Sequence, residues 1–296
     1  TFETSYDSAR LVIDPALRAL GMEDAGAEWA EGLVKQARKK AERGETDISL
    51  QAAVDALARS RGLSPAQRAQ LDFHLSSTYE QEYSGPSNKL SAWWVDEGKE
   101  GRGEDALFPG GYGQIADYLA EGIDIRLGQP VQSVTAANDR VTLTFADGEV
   151  LVADEALITV SLGVLKAGDI AFDPPLSERK QAAIGRLGMG LLNKHWLRFD
   201  EVFWPAEYDW HEYLSPRKGE WSEWVSLAKA DDTPVLLVFS AAEHADAIEP
   251  LDDELTLRRI MRAARTMFGE AIPDPVASLH TRWRSDAYAK GSYSYY

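Results

Sequence analysis

The feature that most limits how this chain can fold is a change of hydrophobic period part-way along it. In the first hundred residues apolar side chains recur at helical spacing: Trp29, Leu33, Ala37 and Ala41 share one face, and Leu50, Val54 and Leu57 the next. Ser64, Pro65 and Gln67 have the form of a capping box with proline at the first helical position, and Leu71, Leu75 and Tyr79 follow at four-residue spacing. Past the glycine- and charge-rich stretch DEGKEGRGED the pattern changes. A short helix carrying Ile115 and Leu119 stops at Gly122, and Ile123, Ile125 and Leu127 then alternate as in a strand. Val141, Leu143 and Phe145 alternate up to the turn pair Asp147 and Gly148, after which Val150 and Val152 resume, as in a hairpin. The run ALITV at 156–160 is apolar without alternation and reads as a strand buried on both faces. A capped helix near Ser177 carries Ile184 and Leu187, and strand-like segments rich in Trp, Tyr and Val run through VLLVFSA. A last helix, capped by Asp252, aligns Leu257, Ile260, Met261, Ala264, Met267 and Phe268 up to Gly269. Helices and strands mixed in this order predict an α/β (mixed α+β) protein, a sheet flanked by helices, large enough for one or two domains.

Composition removes several kinds of chemistry. The absence of cysteine excludes disulfides, thiolate metal sites and thiol nucleophiles. A formal net charge of -17 disfavours a nucleic-acid partner and suits a cationic one. No apolar run approaches the length of a membrane helix, so a soluble, cytoplasmic protein with no membrane partner is expected. The five histidines are isolated from one another and from other ligand types, which predicts no metal site, and no GxSxG elbow, phosphate loop or GxGxxG follows a strand. What stands out is aromatic density, 9 Trp, 11 Tyr and 9 Phe, concentrated at 196–224 and 283–296, enough to build both a core and a pocket whose ring faces attract an ammonium.

Three segments carry more: ALFPGGYGQIADYLAEGIDIRLGQPVQSV, ADEALITVSLGVLKAGDIAFDPPLSERKQAAIGRLGMGLLNKHWLRFDEVFWP and TRWRSDAYAKGSYSY. Together they resemble the flavin-containing amine oxidases, the group that includes polyamine oxidases, monoamine oxidases and lysine-specific histone demethylases. The resemblance runs in order over roughly residues 46–296 and is nearest to the polyamine oxidase branch. It implies that residues 1–106 are the helical part of a substrate-binding domain, 107–170 a partial FAD-binding-domain remnant, and 171–296 the sheet and helix part of the substrate domain.

The resemblance also implies roles. Lys194, in GMGLLNKHWLRF, matches a lysine that holds a water against the reactive nitrogen of the flavin, and is the catalytic candidate. Trp283, in TRWRSD, matches a tryptophan packed beside the flavin ring, and Tyr293, in GSYSY, an aromatic flanking the amine channel. Glu82 and Tyr83 fall where polyamine oxidases place an acidic residue and an aromatic at the tunnel, where a carboxylate would pair with a distal ammonium. Val131 matches a residue whose backbone binds the adenine end, and Gly110 and Gly111 shape a turn into a helix near the cofactor.

The chain departs from the family pattern in carrying neither the opening GxGxxG unit nor the closing glycine- and alanine-rich flavin segment. FAD is therefore the implied cofactor, with weak or absent binding expected of this chain by itself. The implied reaction is oxidation of a small-molecule amine, a polyamine first, a monoamine second and an L-amino acid third, with release of hydrogen peroxide. The alternative from another class is a non-catalytic fragment that binds no flavin and self-associates as a homo-oligomer.

Overall fold

The computed structural model describes residues 2–4, 9–22, 28–95, 105–108, 110–231 and 233–296; of the DEGKEGRGED stretch, 96–104 lie outside the described residues. A six-stranded sheet organises most of the chain. Its strands run in the order Ala277–His280, Leu192–Arg198, Val235–Ala241, Glu223–Ser226, Trp210–Leu214 and Arg10–Ile13. All neighbours are antiparallel except the last pair, which is parallel.

Alternation along these strands makes two faces of different character. One face presents Leu197, Leu236, Val238, Trp224 and Tyr213 to Ile260, Met261, Ala264 and Met267 of the helix Asp253–Phe268. The helix forms as its sequence dictates: the Asp252 side chain accepts from the Leu255 N–H at 2.7 Å, and the helix ends at Gly269, whose φ of 109° is open to glycine. The opposite face carries Trp210, Val225 and Leu237 with Trp196 and Phe239. Further along, Ile13 and Leu214 are covered by Leu17 and by Ala66, Ala69 and Phe73 of the helix Pro65–His74.

A second core belongs to the helices Glu28–Ala41, Leu50–Arg61 and Pro65–His74. Leu33, Leu50, Leu71, Leu75 and Leu90 are sealed from solvent here, each contributing roughly 2 kcal/mol of burial. Both halves of the Ser64 and Gln67 capping box form. The continuation through Leu75 and Tyr79 is a π-helical turn, Leu75–Glu80, before Gln81–Tyr83 ends at Ser84 in the left-handed region, φ 53°. The last residues of the chain close this core: Tyr295 is buried in it, and the Ser91 N–H donates to the Tyr296 carbonyl at 2.8 Å. The Tyr295 ring lies flat against Gly85 and Gly188, where any Cβ would collide with it.

The stretch from 107 onward forms a four-stranded sheet in the order Val150–Ala153, Arg140–Phe145, Val131–Ala137 and Ala171–Asp173, the hairpin turning at Asp147 and Gly148. The parallel strand Ala171–Asp173 carries this unit three residues past the expected edge at 170. Three expectations are corrected. The strand Arg10–Ile13, unanticipated in a helical region, joins the large sheet through a partner some two hundred residues away. The alternation at Ile123, Ile125 and Leu127 does not make a strand, and the ALITV run at 156–160 is neither a strand nor buried, with Leu157 89% exposed. An extended apolar segment becomes a strand only where a second backbone meets its N–H and C=O groups, and among the described residues none lies beside either segment.

Candidate active site

A cavity of about 380 Å³ opens at the edge of the large sheet, within the usual size of small-molecule sites. It is lined by Ser161, Met189, Leu192, Lys194, Trp196, Thr281, Trp283, Ala289, Gly291, Ser292 and Tyr293. Alternation on the strand Leu192–Arg198 sends Lys194 and Trp196 toward the cavity while Asn193, His195 and Leu197 are buried behind them. The Lys194 ammonium stands 5.8 Å from the centroid of the Phe239 ring. Its backbone is fixed on both sides, for Thr281 Oγ1 accepts from the Lys194 N–H at 2.8 Å and the Thr281 N–H returns to the Lys194 carbonyl at 3.0 Å.

The opposite wall comes from the end of the chain. The Gly190 N–H donates to the Tyr293 carbonyl at 2.7 Å, the Ser292 N–H to the Gly190 carbonyl at 2.9 Å, and Ser292 Oγ accepts from the Leu192 N–H at 2.9 Å. The 107–170 unit reaches the cavity at Ser161, whose hydroxyl donates to the Ala289 carbonyl at 2.6 Å while capping the helix Leu162–Ala167.

Behind the wall lies a brace that sequence reasoning missed. Asn193, 1% exposed, accepts through Oδ1 from the Trp283 N–H at 3.0 Å and donates through Nδ2 to Glu249 at 2.8 Å. Glu249, 7% exposed, also accepts from the N–H and hydroxyl of Ser285, at 2.6 and 2.8 Å, and from the Arg284 N–H at 3.3 Å. One carboxylate thus ties the Lys194 strand to the loop that presents Trp283. No local pattern marks Glu249, which reads in the sequence as one acidic residue among many.

The structure brings Lys194, Trp283 and Tyr293 together in this cavity and leaves the other candidates outside its lining. Glu82 is exposed at the end of the helix Gln81–Tyr83, and Tyr83 is partly buried against the helical core. The buried carboxylate nearest in sequence, Glu80, is held by Lys218 at 2.7 Å and by the Ser87 N–H at 2.8 Å, a structural pairing. Gly110 and Gly111 form the turn before the helix Gly113–Ala120, Gly111 with φ 84°, and Val131 begins a strand of the smaller sheet. Among the described residues no group of three metal-ligating side chains converges, and no helix is long and apolar enough to cross a membrane.

On the reverse face of the same strand His195 is nearly sealed from water. It shares a hydrogen bond of 3.0 Å with His280 through the two Nδ1 atoms and another of 3.0 Å with Ser240 through Nε2. Burial, and then the positive charge His280 would carry, lower its pKa to about 3. Below about pH 6.5 the unfolded chain takes up a proton there that the native chain refuses until about pH 3, so stability falls on acidification through that window by about 1.4 kcal/mol per pH unit. Glu212 and Glu223, raised by burial, act in the opposite sense and favour the native state as pH falls. Urea unfolding at about pH 7 and about pH 5 is expected to show a smaller acid loss in His195→Gln than in the parent; equal losses would refute the assignment.

A cavity walled by Trp196, Trp283 and Tyr293, with the Lys194 ammonium on its lining, has the make-up of a small-molecule site that takes a flat ring or a cation. The family model for flavin containing amine oxidoreductase matches residues 14–296. The lysine-specific histone demethylase 1 homolog 3 of Oryza sativa subsp. indica is 36% identical over 84% of this chain and 32% of its own length. Polyamine oxidase 2 of Arabidopsis thaliana is 38% identical over 65% of this chain and 40% of its own. In fold, the chain is similar to a putrescine oxidase solved with putrescine bound, with a TM-score of 0.69 at 16% identity over 92% of this chain and 65% of that one. The chain therefore belongs to the flavin-containing amine oxidoreductase family, whose cofactor is FAD. It spans about a third of the length of that histone demethylase relative and two fifths of that polyamine oxidase.

Proposed function

We propose that this chain forms the amine-binding part, and the substrate-facing wall of the flavin site, of an enzyme that oxidises a polyamine-like amine. The observation that carries the reading is the convergence of Lys194, Trp283 and Tyr293 on one cavity from segments far apart in sequence. When bound, FAD would supply the two-electron acceptor for the carbon beside the amine nitrogen, giving an imine that water hydrolyses and hydrogen peroxide once oxygen takes the electrons.

The residues present fit the ring end of that cofactor. Trp283 would pack beside it, and Lys194 would hold a water by its ammonium. Tyr293 and Trp196 give the amine aromatic walls that orient its carbon and exclude bulk solvent. A net charge of -17 favours a cationic substrate over an anionic one. The polyamine oxidase and histone demethylase relatives leave a free polyamine and a lysine side chain as the two nearest choices, and a cavity of about 380 Å³ favours the smaller. The test is to supply FAD to the purified protein and follow hydrogen peroxide release with spermidine, an alkyl monoamine and a methyl-lysine peptide. Peroxide from spermidine above the other two supports the reading; no peroxide with any amine, despite bound flavin, overturns it.

A further inference from the structure

Trp283 and Tyr293 are 39% and 49% exposed, so packing alone does not hold either ring in the cavity. Their backbone sets their positions. The Trp283 N–H donates to Asn193 Oδ1 at 3.0 Å, and the Trp283 carbonyl accepts from the Gly291 N–H at 2.8 Å, which closes residues 283–291 into a loop. The Tyr293 carbonyl accepts from the Gly190 N–H at 2.7 Å. Glu249 holds the near side of the loop as far as Ser285, and residues 286–288 beyond it are exposed.

Ala289 and Lys290 then come back against the first turn of the helix Leu162–Ala167. Ser161 Oγ donates to the Ala289 carbonyl at 2.6 Å and accepts from the Val164 N–H at 3.2 Å, so one hydroxyl caps the helix and grips the loop. A Cβ at Gly163 would stand 2.6 Å from the Lys290 carbonyl oxygen and 2.7 Å from that of Ala289. Both are backbone atoms, so only a movement of the loop could relieve the collision. Lys290 has a φ of 53°, in the left-handed region that a residue with a side chain holds only where its surroundings fix it. Here the Lys290 N–H donates to the Asp286 carbonyl at 3.0 Å, and its ammonium pairs at 3.0 Å with Asp169, on the same unit as Ser161.

We propose that Ser161 and Gly163 are positioning residues: by holding Ala289 and Lys290 they set where Trp283 and Tyr293 stand in the cavity. The geometry is independent of the reaction, and the consequence for catalysis rests on the amine-oxidising reading above. The contacts run from Gly163 to Lys290, through Gly291 to the Trp283 carbonyl, and from Gly291 two residues on to Tyr293. The loop cannot yield toward the sheet, because a Cβ built at Gly291 already lies 2.8 Å from the Gly190 carbonyl oxygen. A displacement of about 1 Å at a reacting centre can cost about a hundredfold in rate, so a turn that does no chemistry would still govern it.

The test uses the chain labelled with fluorotryptophan, the Trp283 fluorine resonance being assigned by Trp283→Phe. Two variants disturb the contact in different ways. Ser161→Asp keeps an acceptor to cap the helix and removes the proton given to Ala289, whereas Gly163→Ala adds one methyl against the two carbonyls and no charge. In both, the Trp283 resonance is expected to shift or broaden while those of Trp221 and Trp224, 1% and 0% exposed, hold. Ser161→Thr keeps both hydroxyl bonds and should return the parental Trp283 resonance. Gly163 does not line the cavity, so a rise in the spermidine Kd of its alanine variant would come through the loop; about fivefold is expected, the size of one cation–π contact. A parental Trp283 resonance in either variant that keeps its core tryptophan resonances overturns the proposal, and so does an equal shift in Ser161→Thr. Parental spermidine affinity in Gly163→Ala, with Trp283 moved, refutes the link from this turn to the amine. If the parent chain binds no spermidine, the amine reading falls, and the fluorine resonances still decide whether the turn positions Trp283.

Discussion

With the dinucleotide-binding segments of a close relative joined to this chain so that it holds flavin, Lys194→Met is expected to keep the fold and the flavin and to lose about a hundredfold in turnover. Retention follows from shape. The lysine stem is largely apolar and runs beside Phe239, methionine has similar length, and the backbone bonds to Thr281 do not involve the side chain. The loss follows from charge: one preorganised electrostatic contact at a reacting centre is worth on the order of 3 kcal/mol, which is about a hundredfold in rate. The effect should fall on flavin reoxidation and turnover more than on amine binding. Stopped-flow measurement of reduction and reoxidation separates the two, and unchanged rates for both half-reactions would remove Lys194 from the site.

Glu249→Ala is expected to cost about 3–5 kcal/mol of stability, the larger structural effect among these predictions. The substitution strands the Asn193 amide and the Arg284 and Ser285 N–H groups, three donors in a place that water barely reaches. Glu249→Gln should cost less, since one oxygen remains to accept. Even a folded Glu249→Gln should loosen Trp283, whose N–H is held by the same Asn193, so its tryptophan fluorescence should change while the far-ultraviolet dichroism does not. Alanine and glutamine variants with parental urea midpoints would show the brace to be dispensable.

Features that depend on neighbouring residues were legible in the sequence, and those that depend on distant partners were not. The Ser64 capping box, the Asp147–Gly148 hairpin and the stripe of the helix Asp253–Phe268 each need only a few consecutive residues, and each formed. The strand Arg10–Ile13 needs Trp210–Leu214 beside it, and four residues carry too little period to announce a partner so remote. The opposite error at 156–160 has the same root, because an apolar run states a preference for burial and says nothing of what is there to bury it. Among the site residues, Lys194, Trp283 and Tyr293 came from resemblance, and their meeting in one cavity required the fold. Glu249 could not be singled out at all. Its significance lies in hydrogen bonds to residues remote in sequence, which one-dimensional order does not encode in a readable form.

The filling of the helical core by Tyr295 has a consequence for how the protein folds. The ring between Gly85 and Gly188, and the backbone that meets Gly190, join segments about two hundred and about one hundred residues apart. Closing loops of that length costs chain entropy before any contact repays it, so such contacts form after the local helices and hairpins. The helical core and the cavity wall are thereby completed in one late event, and a chain without Ser292 and Tyr293 would contain Lys194, Trp196 and Trp283 and still lack that wall.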